Sequence, residues 1–355
     1  MERRLLVIGA GAIGTLLTAQ MAHSGFPVTL VGRPETAPIV RERGLRISGT
    51  GGEVVAQQID VVASIADAFS GDASYQLAIL SVKSYDTAQA AQELMAAARV
   101  PPPILSMQNG VGNEETLARV LGQDRVLAGV ITTPVTQRAP GHVVLARSTK
   151  RIGLAGLVKR PSGNPVSLPA LAELFASAGF QVQVFPDWRG LKWTKLLMNM
   201  LCNASCALTG WSPQRVWSDA GLVDLEIAAW REAMTIMDRL GIAIVSLGGY
   251  PLDRFEWALR GLPATLLRPA LAQFIVRGRG DKMPSLYLDL ERGKDRSEVH
   301  WLNGAVVTAG KAENLRTPAN SVLVEALGSV VSGHEPWSTY FDRPEVLLEK
   351  WRLNN

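Results

Sequence analysis

The stretch Leu5-Leu-Val-Ile8, followed directly by Gly9-Ala-Gly11-Ala-Ile-Gly14, decides the fold of the first part of the chain. Four consecutive apolar residues predict a short buried strand, and the pattern after them predicts a helix from about Ile13 to Ser24 that ends at Gly25. Val28 to Val31 predicts a second buried strand. A strand, a helix and a second strand within about 30 residues indicate a βαβ unit of a parallel sheet.

The glycine spacing in this unit fits the pattern G-x-G-x-x-G at the point where a strand turns into a helix. The first glycine allows a tight turn, the second lets the backbone approach a pyrophosphate, and the third allows close helix–strand packing. The helix N-terminus offers free N–H groups to phosphates. An ordinary glycine-rich turn is the alternative. The residues expected to bind a dinucleotide cofactor here are Gly9, Ala10, Gly11, Ala12, Ile13 and Gly14.

The end of the second strand, Val31-Gly32-Arg33, indicates which dinucleotide is bound. NAD enzymes usually place Asp or Glu there to accept a hydrogen bond from the ribose 2′-OH. An arginine instead can bind a 2′-phosphate, so Arg33 favours NADP(H), although a solvated surface arginine is the alternative. Lys83, just after the third main strand, is a second candidate at the same sheet edge.

The remaining pattern predicts two domains of different class. Residues 1–186 alternate strand and helix patterns, which indicates a mainly parallel, doubly wound α/β domain. Residues 187–355 have long helical segments and predict an all-α domain. The further strands expected are Leu77–Val82, Ile104–Met107, Val126–Ile131, Val143–Leu145 and Gln181–Phe185. The helices expected are 168–178, 187–209, 220–240, 264–276, 298–313 and one more before Gly328.

Composition narrows the function class. The 355 residues are 47% apolar and 19% charged with a net charge of +4, which excludes a disordered chain and gives little support to nucleic-acid binding. No apolar run approaches about 18 residues, so no membrane span is expected. The two cysteines, Cys202 and Cys206, are expected to be reduced core residues of a cytoplasmic protein. Four scattered histidines make a metal site unexpected.

A polar stripe marks the start of the second domain. Lys195, Asn199 and Asn203 are spaced by four and would follow one face of a single helix, whose other faces are apolar. A polar stripe on a buried helix suits the wall of a cleft, with a structural hydrogen-bond network as the alternative. Lys195 could act there as a general acid toward a ketone oxygen. Lys192, one turn earlier, is left open as the competing lysine.

With these pieces in place, the chain resembles the ketopantoate reductase (2-dehydropantoate 2-reductase) family. The resemblance covers about residues 4–325 and depends on the order of several short motifs. These are Gly9–Gly14, Leu80-Ser-Val-Lys83-Ser-Tyr-Asp, Gln108-Asn109-Gly110-Val-Gly, Lys195-x3-Asn199-x3-Asn203, Ser297-Glu298-Val-x-x-Leu-Asn303-Gly304 and Thr317-Pro318-Ala-Asn320.

The resemblance implies an N-terminal Rossmann domain, a helical C-terminal domain, NADPH as cofactor and the reduction of 2-dehydropantoate to (R)-pantoate in pantothenate biosynthesis. It implies that Lys195 is the general acid and that Asn199, Asn203 and Ser285 bind substrate. Asn109 would contact both nicotinamide ribose and substrate. Glu298 would be catalytic or fix the cofactor, the lysine or a substrate hydroxyl. The expected partner is a small 2-oxo acid, and a homodimer is left open.

Glu298 also has a structural interpretation, because Asp295-Arg-Ser-Glu298 fits a reciprocal capping box. Three departures from the family pattern affect the distal end of the substrate: Pro284 beside Ser285, a longer spacing to Glu298, and a longer segment from 247 to 282. Two alternative functions follow. One is a reductase of a different 2-oxo acid, and the other is a non-catalytic NADPH-binding sensor.

Overall fold

The computed structural model describes residues 4–71, 73–158, 166–250, 252–269, 271 and 282–354. The chain divides into two compact units. Unit 1 comprises Met1–Gln108, Gly112–Lys192 and Leu247–Gly249, and unit 2 comprises Asn109–Val111, Trp193–Ser246 and Tyr250–Asn355. The division at Lys192 falls inside a helix, whereas the predicted domain boundary at residue 186 stays a prediction.

The described residues of unit 1 contain twelve strands in two sheets. In chain order they are β1 (Leu5–Ile8), β2 (Val28–Val31), β3 (Leu45–Gly49), β4 (Val54–Ala56), β5 (Asp60–Val62), β6 (Leu77–Leu80), β7 (Ile104–Ser106), β8 (Val126–Ile131), β9 (Val135–Ala139), β10 (His142–Leu145), β11 (Arg151–Gly156) and β12 (Gln181–Val184). The main sheet has the order β12-β11-β8-β7-β6-β1-β2-β5. All its neighbours are parallel except β8 and β11.

Helices cover both faces of the main sheet because its central strands are apolar on both sides. Leu5 and Val7 of β1 enter one apolar core, and Leu6 and Ile8 enter a second, as alternation along a strand requires. The helices of unit 1 before the division are Ala12–His23, Ala37–Arg43, Ile65–Ala68, Thr87–Ala97, Asn113–Leu121 and Leu168–Ser177. The predicted doubly wound Rossmann domain is thereby confirmed.

The second sheet, with the order β4-β3-β10-β9, was not expected from the sequence. Its strands are short, and β9 is half-buried or exposed along its whole length. The predicted strand Val143–Leu145 exists as part of β10, but it pairs with β3 and β9 and not with the main sheet. Its apolar residues gave no information about which sheet it joins.

Unit 2 is helical, as predicted, and its described residues contain no strand. One apolar core runs through it, and the long helix Ala220–Arg239 contributes eleven buried residues to the unit. The helices are the second half of Trp188–Met200, then Asn203–Thr209, Pro213–Ser218, Ala220–Arg239, Leu252–Gly261, helical residues 264–269 and 271, Ser285–Glu291, Asn303–Ala312, Pro318–Val331 and Pro344–Asn354. Among the described residues, no helix is long and apolar enough to cross a membrane.

The single helix predicted over 187–209 is wrong, because it breaks after Met200 and restarts at Asn203. Cys202 adopts the left-handed conformation at the break, with φ 55°. The buried carboxylate of Glu226 accepts a hydrogen bond from the Cys202 N–H at 2.8 Å and another from the Ser205 hydroxyl. A carboxylate at a helix start satisfies N–H groups that a continuous helix would have bonded internally.

Two further helix predictions need correction. The helix predicted over 298–313 is a 3-10 turn at Glu298–Trp301 followed by Asn303–Ala312, because Leu302 has a non-helical backbone. Of the helix predicted over 264–276, residues 264–269 and 271 are helical. The remaining positions, 270 and 272–276, lie outside the described residues.

The cap at the helix break gives a stability prediction. Glu226→Ala leaves the buried Cys202 N–H and Ser205 hydroxyl without this acceptor, so we expect a loss of about 1–3 kcal/mol in the free energy of unfolding. Urea unfolding followed by circular dichroism measures it. Glu325→Ala, at an exposed site on the helix Pro318–Val331, is the control and should change stability by less than about 0.5 kcal/mol. Equal effects of the two variants would contradict the capping role.

Candidate functional site

The glycine-rich turn after β1 is fixed by close backbone contacts. A Cβ on Gly14 would lie 1.8 Å from the carbonyl oxygen of Gly9, and a Cβ on Gly9 would lie 2.8 Å from the N atom of Val82. Gly9 also has a φ of +110°, which favours glycine. Gly11 differs, because a Cβ there would meet no atom within 4 Å. The first and third glycines therefore serve the fold, and the second leaves open space above the turn.

The helix that follows the turn presents its N-terminus without a side-chain cap. Gly11 is the N-cap residue, and the first turn contains no acidic side chain. The Gln137 amide of β9 donates to the Ala10 carbonyl at 3.0 Å and supports the turn from the second sheet. An N-terminus with unsatisfied N–H groups and no carboxylate is suited to an anion such as a pyrophosphate.

Arg33 and Lys83 follow two strands whose carboxyl ends lie at the same edge as the turn. The strand order reverses at β1, which has β2 on one side and β6 on the other, and ligands of such sheets bind at this reversal. Arg33 is exposed just after β2, and Lys83 is half-buried just after β6. Residues 31–33 carry no carboxylate that would repel a 2′-phosphate.

Three candidate asparagines of unit 2 form one hydrogen-bonded cluster. The Asn199 amide donates to Oδ1 of Asn109 at 3.0 Å, and the Asn203 amide donates to the Asn199 carbonyl at 3.1 Å. Oδ1 of Asn203 accepts the N–H of Leu286 at 3.1 Å. Because Leu286 follows Ser285, these bonds bring the start of the helix Ser285–Glu291 to the cluster.

Glu298 lies on a segment that contacts the same loop as the cluster. The Trp301 carbonyl accepts the Val111 N–H at 3.0 Å, and a Cβ on Gly110 would lie 2.5 Å from that carbonyl. Glu298 is buried, whereas Ser285 and Asn109 are exposed. The capping box predicted from Asp295 is wrong, because Ser297 is the N-cap and accepts the Val299 N–H.

The two lysines of the helix Trp188–Met200 have different surroundings. Lys192 is 1% exposed, and its ammonium lies 2.8 Å from the carboxylate of Glu114, which is 0% exposed. Lys195 is half-buried in unit 2, on the helix that also carries Asn199. The sequence left both lysines open as the proton donor, and the burial and pairing of Lys192 favour Lys195.

Asn303 and Asn320, which carried part of the resemblance, form a structural network. Oδ1 of Asn320 accepts a hydrogen bond from the Asn303 amide at 3.0 Å. The Asn320 amide in turn donates to the Glu232 carboxylate at 2.7 Å. Glu232 also accepts the N–H groups of Ala319 and Asn320, which start the helix Pro318–Val331. Burial is the main cause that raises the pKa of Glu232, and these N–H bonds oppose it. These motif asparagines thus hold two helices together.

Two family models match the chain, ketopantoate reductase PanE/ApbA over residues 5–155 and its C-terminal counterpart over residues 187–330. The chain belongs to the ketopantoate reductase family. The resemblance inferred from the sequence motifs is therefore confirmed, and so is the prediction of an oxidoreductase acting on a CH–OH group.

Relatives named 2-dehydropantoate 2-reductase match this chain over nearly its whole length. The protein from Pyrococcus horikoshii is 28% identical over 90% of this chain and 95% of its own. The protein from Archaeoglobus fulgidus is 29% identical over 93% of this chain and 99% of its own.

Solved structures agree with the fold. A PanE/ApbA family ketopantoate reductase from Ralstonia eutropha JMP134 superposes with a TM-score of 0.76 at 27% identity, over 93% of this chain and 99% of that chain. D-mandelate dehydrogenase with NADH and anilino(oxo)acetate superposes with a TM-score of 0.77 over 93% of this chain and 98% of that chain. At 19% identity, this second likeness supports the fold alone.

Proposed function

We propose that the protein reduces 2-dehydropantoate to (R)-pantoate with NADPH, a reaction of pantothenate biosynthesis. The observation that carries the proposal is the hydrogen-bonded cluster of Asn109, Asn199 and Asn203 with Lys195 on the same helix as Asn199. This set offers one cation and several amides to an oxygen-rich small molecule. The match of both family models and of relatives named for this reaction supports it.

Unit 1 fits the cofactor. The ketopantoate reductase family is NADPH-dependent, and NADPH when bound supplies a hydride to the ketone carbon. The open space above Gly11 and the uncapped helix start would hold the pyrophosphate, with Gly9, Ala10, Ala12, Ile13 and Gly14 shaping the turn. Arg33 would pair with the 2′-phosphate, and Lys83 would serve as a second cation at that edge.

The polar groups of unit 2 have separate tasks in this proposal. Lys195 gives a proton to the alkoxide that develops on the ketone oxygen. The amides of Asn199 and Asn203 and the Ser285 hydroxyl donate hydrogen bonds to the substrate. Asn109 contacts substrate and nicotinamide ribose. Glu298 binds a substrate hydroxyl or the cofactor, or acts on Lys195.

The distal end of the substrate is where a different 2-oxo acid would be accommodated. Pro284 precedes Ser285 at the start of a helix whose second residue, Leu286, bonds to Asn203. A neighbour in fold, D-mandelate dehydrogenase, is described with anilino(oxo)acetate, which carries an aromatic ring beside its oxo and carboxylate groups. A reductase of a bulkier 2-oxo acid is therefore the second candidate. A sensor without catalysis would have no need of Lys195.

The setting of the protein is part of the same proposal. The chain has only two cysteines, Cys202 and Cys206, and both are buried, which supports the reducing cytoplasm as its compartment. Its partner is the small-molecule substrate, and a homodimer is left open. Among the described residues, no group of three or more metal-ligating side chains is present.

The first functional prediction concerns the cofactor. Arg33→Asp should weaken NADPH binding about 10- to 150-fold and leave NADH binding nearly unchanged, because a charge-assisted contact contributes about 1.5–3 kcal/mol. Gly11→Ala should keep its melting temperature and lose NADPH affinity, since its Cβ meets only the space meant for the pyrophosphate. Fluorescence titration of NADPH measures both effects.

Gly14→Ala is the matched control for the turn, because its Cβ would collide with the Gly9 carbonyl. It should lower the melting temperature, in contrast to Gly11→Ala. Equal affinities of the unmodified protein for NADPH and NADH would contradict the role of Arg33. An unchanged NADPH affinity in Gly11→Ala would contradict the location of the pyrophosphate.

The second functional prediction concerns the proton donor. Lys195→Ala should lower kcat by roughly 10²- to 10⁴-fold while NADPH still binds, because general acid catalysis has that size. Lys311→Ala, at an exposed site on the helix Asn303–Ala312, is the control and should leave kcat unchanged. Loss of NADPH absorbance with 2-dehydropantoate measures the rates. A kcat of Lys195→Ala within threefold of the unmodified value would reject this lysine as the acid.

The third functional prediction concerns the substrate. If Glu298 binds the distal hydroxyl, 2-dehydropantoate should exceed 2-oxoisovalerate by at least about 10²-fold in kcat/KM, because a site built for a hydroxyl leaves polar groups unpaired without it. Glu298→Ala should remove most of that difference. Steady-state rates on both acids and on an aromatic 2-oxo acid decide between the candidates. A preference for either alternative acid would keep the reductase and reject 2-dehydropantoate.

A further inference from the structure

A buried lysine of unit 1 lies one turn before the candidate proton donor and makes two polar contacts. The Lys192 ammonium donates to the Gln108 carbonyl at 2.7 Å and lies 2.8 Å from Oε1 of Glu114. The side chains of Lys192 and Glu114 are both almost completely buried. A buried ion pair is costly to desolvate, so its presence needs a reason beyond stability.

The reason lies in what the Gln108 carbonyl belongs to. That oxygen is part of the peptide group that joins Gln108 to Asn109, so the lysine fixes the orientation of the chain where the candidate Asn109 begins. Two glycines follow within three residues of Asn109, Gly110 and Gly112, with φ values of +83° and +102°. A chain with glycines at these positions has weak local preferences of its own, and an external anchor therefore sets its course.

The side chain of Gln108 forms hydrogen bonds that hold a second loop, the one that carries Lys83. Its amide donates to the Val82 carbonyl at 3.0 Å and to the Thr87 hydroxyl at 2.8 Å. Thr87 lies 2.9 Å from Oδ1 of Asn113, whose amide donates to the Ser84 hydroxyl at 3.3 Å. These buried bonds hold residues 82–84, the loop that carries Lys83.

We propose that Lys192, Glu114 and Gln108 form a positioning unit for the reductase reaction. Lys192 holds the Gln108–Asn109 peptide group, Glu114 pairs with the lysine and keeps it directed at that group, and Gln108 holds the loop of Lys83. These three residues act through Asn109 and Lys83 and do not touch the substrate themselves. This inference rests on the proposed function, because its purpose is the placement of those residues.

The charge pair and the carbonyl anchor are separable by mutation. Lys192→Met removes the anchor and leaves Glu114 as a buried unpaired charge, so it should be strongly destabilised. The double variant Lys192→Met/Glu114→Met removes both charges with side chains of similar size, and its melting temperature should recover. The Gln108 carbonyl has still lost its donor in the double variant. In the double variant we therefore expect the melting temperature to recover while the positioning of Asn109 remains lost.

The test measures melting temperature, kcat, KM and NADPH affinity for both variants, with Lys192→Arg as the conservative replacement. We expect the double variant to lose about 10- to 100-fold in kcat/KM, since a displacement near 1 Å at a reacting centre has that effect. We expect Lys192→Arg, which keeps a charge and donors, to regain most of it. Recovery of activity together with melting temperature in the double variant would overturn the proposal.

Leu171→Ala separates positioning from general loss of stability. Leu171 is fully buried in the core of unit 1 on the helix Leu168–Ser177, and its removal lowers stability without touching the anchor. If the double variant remains unstable, a loss of kcat/KM larger than that of Leu171→Ala supports the proposal and an equal loss overturns it. Rates are compared at one temperature, below the melting range of every variant.

Gln108→Met provides a readout that needs no substrate and leaves the ion pair intact. It removes the donor to the Val82 carbonyl and the Thr87 hydroxyl, so the NADPH dissociation constant should rise about 10-fold through the loop of Lys83, with a fall in melting temperature no larger than that of Leu171→Ala. An unchanged dissociation constant would overturn the proposed role of Gln108. Failure of the unmodified protein to reduce 2-dehydropantoate would reject the proposed substrate only, because this binding test stands without it.

Discussion

The arrangement of the polar residues in unit 2 depends on one buried carboxylate. Glu226 takes the N–H of Cys202 and the hydroxyl of Ser205, and these bonds let the chain leave one helix and start another within two residues. Without the break, Asn203 would bond along a continuous helix. With it, the Asn203 side chain joins the Asn199 carbonyl to the Leu286 N–H. A single acceptor thus converts a regular stripe into a cluster.

The sequence predicted the parts of the fold that local pattern controls. The strands β1, β2 and β8 begin and end where the apolar runs predicted, because a fully buried parallel strand must be apolar throughout. The glycine-rich turn followed from its spacing between a strand and a helix. The mutual proximity of Asn109, Asn199 and Asn203 came from the family resemblance, because nothing local to Asn109 indicates its distant partners.

The features that the sequence did not predict depend on distant partners. The break at Cys202 needs the carboxylate of Glu226, which is 24 residues away and looks like any polar residue of a long helix. Gln137 supports the Ala10 carbonyl from β9, a strand that is half-buried or exposed throughout and gives no clear alternation. The sequence did not distinguish Lys192 from Lys195 as the proton donor. The spacing of residues shows which face of a helix they share, but it does not show that Lys192 contacts the carboxylate of Glu114.

The chain passes between the two units more than once. Asn109–Val111 belong to unit 2 although they lie between two long stretches of unit 1, and Leu247–Gly249 return to unit 1 from the middle of unit 2. During synthesis, unit 1 would emerge from the ribosome well before its last three residues exist. Unit 1 therefore reaches its complete set of residues only after Trp193–Ser246 of unit 2 have been made, and no single proteolytic cut yields either unit whole.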